Sequence, residues 1–211
     1  MRPNWGLMAV LAFCALFWWG VWEAVASPLI PAQAKQHRAL LIREARAQWG
    51  LNAPVATFAG QIHQESRWNE RAVSPVGAQG LAQFMPATSR WLPEVAPQTG
   101  QPMPFSASWS IRAMIVYDKW IWNRVRAASD CDRWAFTLSA YNGGLGWVQR
   151  DQRLAASRGA NPLSWNDVAR FNSGRSAANF KENRGYPERI LNRWGPLYQA
   201  AGWGRGGCDD R

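Results

Sequence analysis

The run from Asn52 to Ser66, NAPVATFAGQIHQES, limits the fold more than any other part of the chain. Asn52 is a capping residue type, and Pro54 suits a first helical turn, where its missing N–H costs nothing. Val55, Phe58, Ala59, Ile62 and Ser66 then recur on one face at helical spacing, which predicts an amphipathic helix. Glu65 falls at the edge of that stripe, one turn after Gln61. A carboxylate so placed is half in the core and half in whatever cleft the face borders. Partial desolvation and the negative pole of the helix both disfavour its ionised form. A glutamic acid that keeps its proton near neutral pH is the group that protonates a leaving oxygen. Most glutamates are solvated surface charges, and Arg67 and Arg71 offer this one ordinary partners. Glu65 alone therefore decides nothing.

The residues that follow add the missing constraint. Ala72-Val73-Ser74-Pro75 leads into Gly77-Ala78-Gln79-Gly80-Leu81-Ala82-Gln83-Phe84-Met85-Pro86-Ala87-Thr88. Farther on come Ala140-Tyr141-Asn142-Gly143-Gly144 and Glu182-Asn183-Arg184-Gly185-Tyr186, the latter followed by Ile190-Leu191. Taken in this order with Glu65-Ser66, these stretches resemble the soluble lytic transglycosylase family of the lysozyme-like superfamily. Ala82 stands where Met is usual, Asn183 for Thr, and Pro187 for an aliphatic residue. The resemblance implies a mainly α, lysozyme-like catalytic domain over residues 33–200 with a deep glycan-binding cleft. It also implies an enzyme that cleaves the MurNAc–GlcNAc β-1,4 bond of peptidoglycan and leaves a 1,6-anhydro-MurNAc end. Carried over residue by residue, Glu65 is the acid and then the base, and Ser66 frames the helix end. Gln83, Met85, Tyr141 and Asn142 line the sugar groove, and Tyr186 hydrogen-bonds Glu65 or the substrate. The expected partner is the glycan strand, bound by a monomer without cofactor or metal. His37 and His63 are the only histidines and there is no CxxC pair, so no metal-ligand cluster is in view. The spacing of His63 from Glu65 points it elsewhere on the helix, as a structural or cleft-lining group.

Glycoside hydrolysis commonly needs two carboxylates, about 5–5.5 Å apart in retaining enzymes and about 6.5–9.5 Å apart in inverting ones. After Glu65 the chain offers Glu70 and then no acid until Glu94. The family resemblance implies a single acid that later takes the proton of the muramyl 6-hydroxyl as that oxygen closes onto C1. Hydrolysis of the same bond by a muramidase is the alternative reading. Asp118 is the other acid of interest, because it falls among Ile111, Ile115, Trp122 and Val125 on one helical face. It is expected to be a buried acid paired with an arginine, a structural role preferred to that of a helper at the cleft.

Residues 5–22, WGLMAVLAFCALFWWGVW, carry no charge; Arg2 precedes them and Ala24-Val25-Ala26 offers a cleavage site before Ser27. This is the outline of a secretory signal over residues 1–26. The run is also long enough to approach the limit for spanning a bilayer, and Trp18, Trp19 and Trp22 cluster at its exit end. Export to the periplasm is expected, with the segment cleaved, retained as an inner-membrane anchor, or released later. Wall remodelling, assembly of a secretion or conjugation machine, and phage-driven lysis would all use such an enzyme. In an oxidising compartment Cys131 and Cys208, the two cysteines beyond the apolar run, are expected to pair and pin the glycine-rich tail, residues 201–211. Two free thiols are the other arrangement.

The remaining periodicity predicts helices over 33–49 with Gly50 as the stop, from Ser108 or Ser110 to 128, and over 134–141, 148–158, 167–171 and 187–198. Residues 92–106 read as a loop, and short strands fall near Val73–Leu81. A net charge of +10 with 15 tryptophans would also suit a nucleic-acid binder. The export signal and the scattered arginines argue against that, and the charge suits anionic envelope polymers better. A non-catalytic glycan-binding module is disfavoured by the intact Glu65-Ser66 pair.

Overall fold

A computed structural model of the protein describes residues 29–209. The apolar run 5–22 and the cleavage site before Ser27 lie outside these residues, as do the last two residues of the tail. Among the described residues no helix is long and apolar enough to cross a membrane.

The first helix, α1 (Ala32–Trp49), buries Ala34, Leu41 and Ala45 and ends at Gly50, whose φ of 78° suits glycine. Asn52 does not cap the next helix. α2 (Val55–Ser66) starts from Pro54, whose carbonyl accepts from the N–H groups of Thr57 and Phe58. The N–H of Ala56, one of the orphan donors of a helix start, goes instead to the carbonyl of Arg205 at 3.0 Å. The N–H of Gly207 in turn reaches Thr57 Oγ1 at 2.8 Å. Thus the C-terminal tail closes the start of α2, and the Cys131–Cys208 disulfide holds the tail there (S–S 2.08 Å).

α2 is sheathed on every side, with Val55 through His63 all buried, so the one-faced pattern understates its burial. Small residues admit the neighbours. A Cβ on Gly60 would lie 2.7 Å from the backbone nitrogen of Gly195, so α9 (Gly195–Ala200) crosses there at near backbone contact. His63 is buried too, stacked on Trp194 at 4.0 Å with Nδ1 2.9 Å from the Tyr198 hydroxyl. Burial, with Arg67 and Arg193 nearby, lowers its pKa to about 4, so it is a neutral packing group.

Between α2 and α4 (Ala107–Trp122) the chain forms two isolated antiparallel bridges, Val73–Gln79 and Gln79–Phe84. It then forms α3 (Pro86–Val95), a helix that proline content hides: Pro86 occupies its first turn, and Pro93 lies near its end. The expected loop is confined to the residues beyond it, with a 3-10 turn at Pro97–Thr99. α4 begins after Ser106 and stops at Asn123, short of the expected 128. α5 (Asp130–Gly143) is capped by the Ser129 side chain, and Gly144, with φ of 94°, ends it. α6 (Leu145–Ser157) and the short α7 (Trp165–Val168) follow. α8 (Ala177–Arg189) runs through Pro187, and a π-helical turn at Ile190–Trp194 follows it. The span expected as a helix, 187–198, is helical, but it begins ten residues earlier within α8 and passes through the π turn into α9.

The larger core gathers α1, α2, α4 and α9 around Leu41, Phe58, Ile62, Met114 and Ile115. A smaller one, with Ile121, Phe136, Val148, Ala155 and Val168, lies beneath α5, α6 and α7. Tyr117 and Tyr141 pack against both. A cavity that both line opens beside them.

Candidate active site

Glu65 sits in the last turn of α2, which Arg67 ends in a left-handed conformation (φ 50°). Its carboxyl is half-buried at a cavity of about 730 Å³ that Gln83, Met85, Tyr141, Asn142 and Tyr186 also line. The Tyr186 hydroxyl, carried by α8, donates a hydrogen bond to Glu65 Oε1. Burial pushes the Glu65 pKa up to about 8, the Tyr186 hydrogen bond pulls it back, and the charge of Glu182 adds to the rise. With its pKa at about 8, Glu65 favours the carboxylic acid form at neutral pH, on the wall of the cavity.

The other expected groove residues do more than face the cavity. Tyr141, at the end of α5, donates its hydroxyl to the Ala82 carbonyl at 2.7 Å. Gln83 takes a left-handed backbone (φ 48°) and ties its amide to the carbonyls of Gly80 and Ala72 at 2.9 and 3.2 Å. The Ala82 N–H goes to the Ser110 hydroxyl of α4 at 3.1 Å. These bonds fix the loop that forms one wall. A Cβ on Gly80 would overlap the Pro104 carbonyl at 1.7 Å, which is why the wall packs flat there. Asn142 is exposed and accepts from Asn183 Nδ2 at 3.0 Å. Ser66 does not border the cavity; its hydroxyl is buried without a partner among the described residues.

Two residues offered as a second carboxylate lie elsewhere. Glu70 contacts His37 Nε2 at 3.0 Å, away from the cavity. Asp118 is fully buried, and among the described residues no arginine pairs with it. Its Oδ1 accepts from Gln61 Nε2 at 3.4 Å, and its Oδ2 has no partner. Burial, and then the neighbouring Glu65, raise its pKa well above the carboxylate range against the opposing Gln61 hydrogen bond. The expected Asp–Arg pair is replaced by a neutral acid facing an amide.

The acid that does reach the cavity with Glu65 is Glu182, on the same helix as Tyr186. Its position one turn before Tyr186 in the Glu182–Tyr186 stretch was the available signal. Its carboxylate is bound by Arg189. Ser74 and Thr88, which belong to the quoted stretches, also line it, and so do Gln64 and Tyr117, which carry no such signal. Among the described residues no group of three or more His, Cys, Asp or Glu could hold a metal ion.

The model of the transglycosylase SLT domain family matches residues 41–164. Among curated proteins, the membrane-bound lytic murein transglycosylase F of Shewanella woodyi is 35% identical over 112 residues, 53% of this chain and 22% of that protein. Its counterpart from Mannheimia succiniciproducens is 34% identical over 121 residues, 57% of this chain and 22% of that protein. The matched part thus spans about 22% of the length of these relatives. Among solved structures, the 70 kDa soluble lytic transglycosylase of Escherichia coli superposes with a TM-score of 0.59 at 23% identity, covering 79% of this chain and 24% of that one. Lytic transglycosylase Slt of Pseudomonas aeruginosa gives 0.60 at 23% identity, over 82% and 25%. At that identity the likeness shows a shared fold.

Proposed function

The chain belongs to the transglycosylase SLT family, and we propose that it is a peptidoglycan lytic transglycosylase with Glu65 as its acid and base. The observation that carries this reading is the placement of Glu65 at a cavity, hydrogen-bonded by Tyr186, with burial raising its pKa to about 8 and the Glu182 carboxylate beside it engaged by Arg189. The cavity is the glycan-binding cleft. Glu65 gives its proton to the oxygen between MurNAc C1 and the next GlcNAc as the C1–O bond breaks. The carboxylate left behind accepts the proton of the C6 hydroxyl while O6 bonds to C1. Glu65 regains its proton, the product ends in 1,6-anhydro-MurNAc, and no water is consumed. Tyr186 holds the carboxyl in line during both transfers, since its bond favours the anion formed midway.

Gln83, Met85, Tyr141 and Asn142 shape the groove around the sugars. Residues 33–200 form the catalytic domain, which acts as a monomer on glycan strands, and residues 1–26 direct it to the periplasm. The names of relatives as membrane-bound murein transglycosylases support that address. Digestion of purified peptidoglycan in H₂¹⁸O tests the chemistry. Anhydro-muramyl ends without label are expected. Reducing ends carrying ¹⁸O would make the protein a muramidase, with Glu182 the carboxylate to examine as the base for water.

A further inference from the structure

A groove that shares no lining residue with the Glu65 cavity runs along the loop after α4, the start of α5 and the outer side of α6. One part, of about 550 Å³, is walled by Arg124, Arg126 and Arg153. The other, of about 330 Å³, is walled by Arg126 and Arg133, and Arg126 and Leu163 border both. The backbone around the groove is tied in place. Gln152 Nε2 donates to the carbonyls of Arg126 and Pro162 at 3.0 and 2.9 Å, and the Ala128 N–H donates to the Leu163 carbonyl at 2.9 Å. Two of the guanidinium groups are held as well. Arg124 lies 3.9 Å from the centre of the Trp120 ring and gives Nη1 to the Trp120 carbonyl at 2.9 Å. Arg133 lies 4.5 Å from the Trp122 ring and gives Nε to the Trp122 carbonyl at 2.9 Å. Each bond uses one of the five N–H donors of the side chain and leaves the others for a second acceptor. Arg124, Arg126 and Arg153 are exposed, and Arg133 is half-buried.

Charge and shape point the same way. None of the four arginines joins an ion pair, and the side chains of Arg126 and Arg153 make no hydrogen bond among the described residues. From Lys119 to Leu163 the chain carries seven cations and three acids. Two of those acids are engaged elsewhere, Asp151 by Arg175 and Arg184, and Asp132 by the Trp165 N–H and the Ser129 hydroxyl. Asp130 is the one that lines the groove. A concave surface lined by one sign of charge concentrates its field and draws in the opposite sign. Arg124 and Arg126 come from the loop after α4 and Arg153 from α6, so a bound anion accepts from more than one direction. The tetrahedral oxygens of a phosphate group can do this, whereas the two oxygens of a carboxylate share a plane and suit a single fork. Two cavities joined at Arg126 suit successive groups on one linear chain.

We propose that this groove binds a linear phosphodiester polymer, with Arg124, Arg126 and Arg153 receiving one phosphate group and Arg126 and Arg133 the next. The proposal goes beyond the transglycosylase reading and does not depend on it, since it commits no residue of the Glu65 cavity. Docking there holds the protein on an anionic polymer while Glu65 stays available to its own substrate.

The test measures the Kd of the full chain for poly(glycerol phosphate) at 0.15 M salt, where a Debye length of about 8 Å mutes distant charges. Arg126→Gln combined with Arg153→Gln removes two groove cations that hold nothing else, and should weaken binding at least about tenfold. Lys35→Gln combined with Arg71→Gln removes the same charge from exposed positions on α1 and on the segment between α2 and α3. That pair should weaken binding less than about threefold. Circular dichroism checks the fold, and if the groove pair fails to fold, Arg153→Glu alone decides, with a loss of at least about tenfold expected from the reversed charge. Polyglutamate and phosphatidylglycerol vesicles are the comparison ligands. No binding of the polymer by wild-type protein, or equal losses in the two pairs, overturns the groove as the site. A groove-specific loss as large on polyglutamate overturns its choice of phosphate. A groove-specific loss on the vesicles and not on the polymer makes a lipid surface the partner and overturns the polymer.

Discussion

The Tyr186 hydroxyl meets Oε1 of Glu65 across 121 residues of sequence. The two side chains come from α8 and α2, and that bond sets both the direction of the acid and part of its proton affinity. It is the feature on which the first two predictions turn.

Replacing Glu65 by Gln keeps the side-chain shape and removes the ability to give and take a proton. Positioned acid–base catalysis contributes on the order of 10²- to 10⁴-fold, and turnover should fall by at least the lower figure with the fold intact. Tyr186→Phe removes only the orienting bond and should cost less. Initial rates of muropeptide release, with circular dichroism as the check on folding, measure both. An Asp118→Asn loss as large as that of Glu65→Gln would displace Glu65 as the sole acid.

The pH profile carries a sign. Because Glu65 must start protonated, kcat/KM should hold up to about pH 8 and fall above it. The Tyr186 bond favours the charged form, so Tyr186→Phe should move the falling limb to higher pH. The same shift enters stability. With a folded pKa raised from 4.5 to about 8, the native state keeps a proton that the unfolded chain has lost. That contribution is complete below pH 4.5 and is lost as pH rises through about 8. Urea titrations between pH 5 and pH 9 should show a slope that Glu65→Gln reduces.

Asp118 should tolerate replacement by asparagine. Its Oδ2 and Gln61 Oε1 are both buried without a partner among the described residues, and burial favours the protonated acid over the anion. An asparagine side chain at this position offers the same donor and acceptor. For Asp118→Asn, stability at pH 7 should therefore change by less than about 1 kcal/mol, and most activity should remain. Asp118→Ala leaves the amide unpaired and should cost about 1–3 kcal/mol beyond the cavity it opens. Chemical denaturation of the two variants separates a neutral acid from an ionised one, which asparagine could not replace so cheaply.

Opening the disulfide should loosen the start of α2. In the chain-entropy account a loop of 77 residues contributes about 4–5 kcal/mol. Cys131→Ser should therefore lower the urea midpoint, and hydrogen exchange at Ala56 and Gly207 should rise. Unchanged exchange there would show that the tail holds its place without the bond.

Removing residues 1–26 should leave a protein that stays in the cytoplasm and spares the cell wall, whereas the full chain should reach the periplasm and damage it. Equal toxicity from both would end the export proposal.

The mainly helical class, the α2 stripe with Glu65 on its edge, and the helix stops at Gly50 and Gly144 are legible in the sequence, because each depends on residues within a turn or two. Other features are not. α3 is hidden because two prolines mimic a loop, although one sits in the first turn, where it is harmless. Asn52 reads as the cap of α2 because a tail more than 140 residues away supplies the real acceptor. Asp118 reads as the partner of an arginine because periodicity shows that a residue is buried, and only packing shows what it faces. Local spacing determined where Glu65 stands. Its pKa, its tyrosine partner and the carboxylate beside it were decided by tertiary structure, because desolvation and Coulomb energy depend on distances that chain order does not contain.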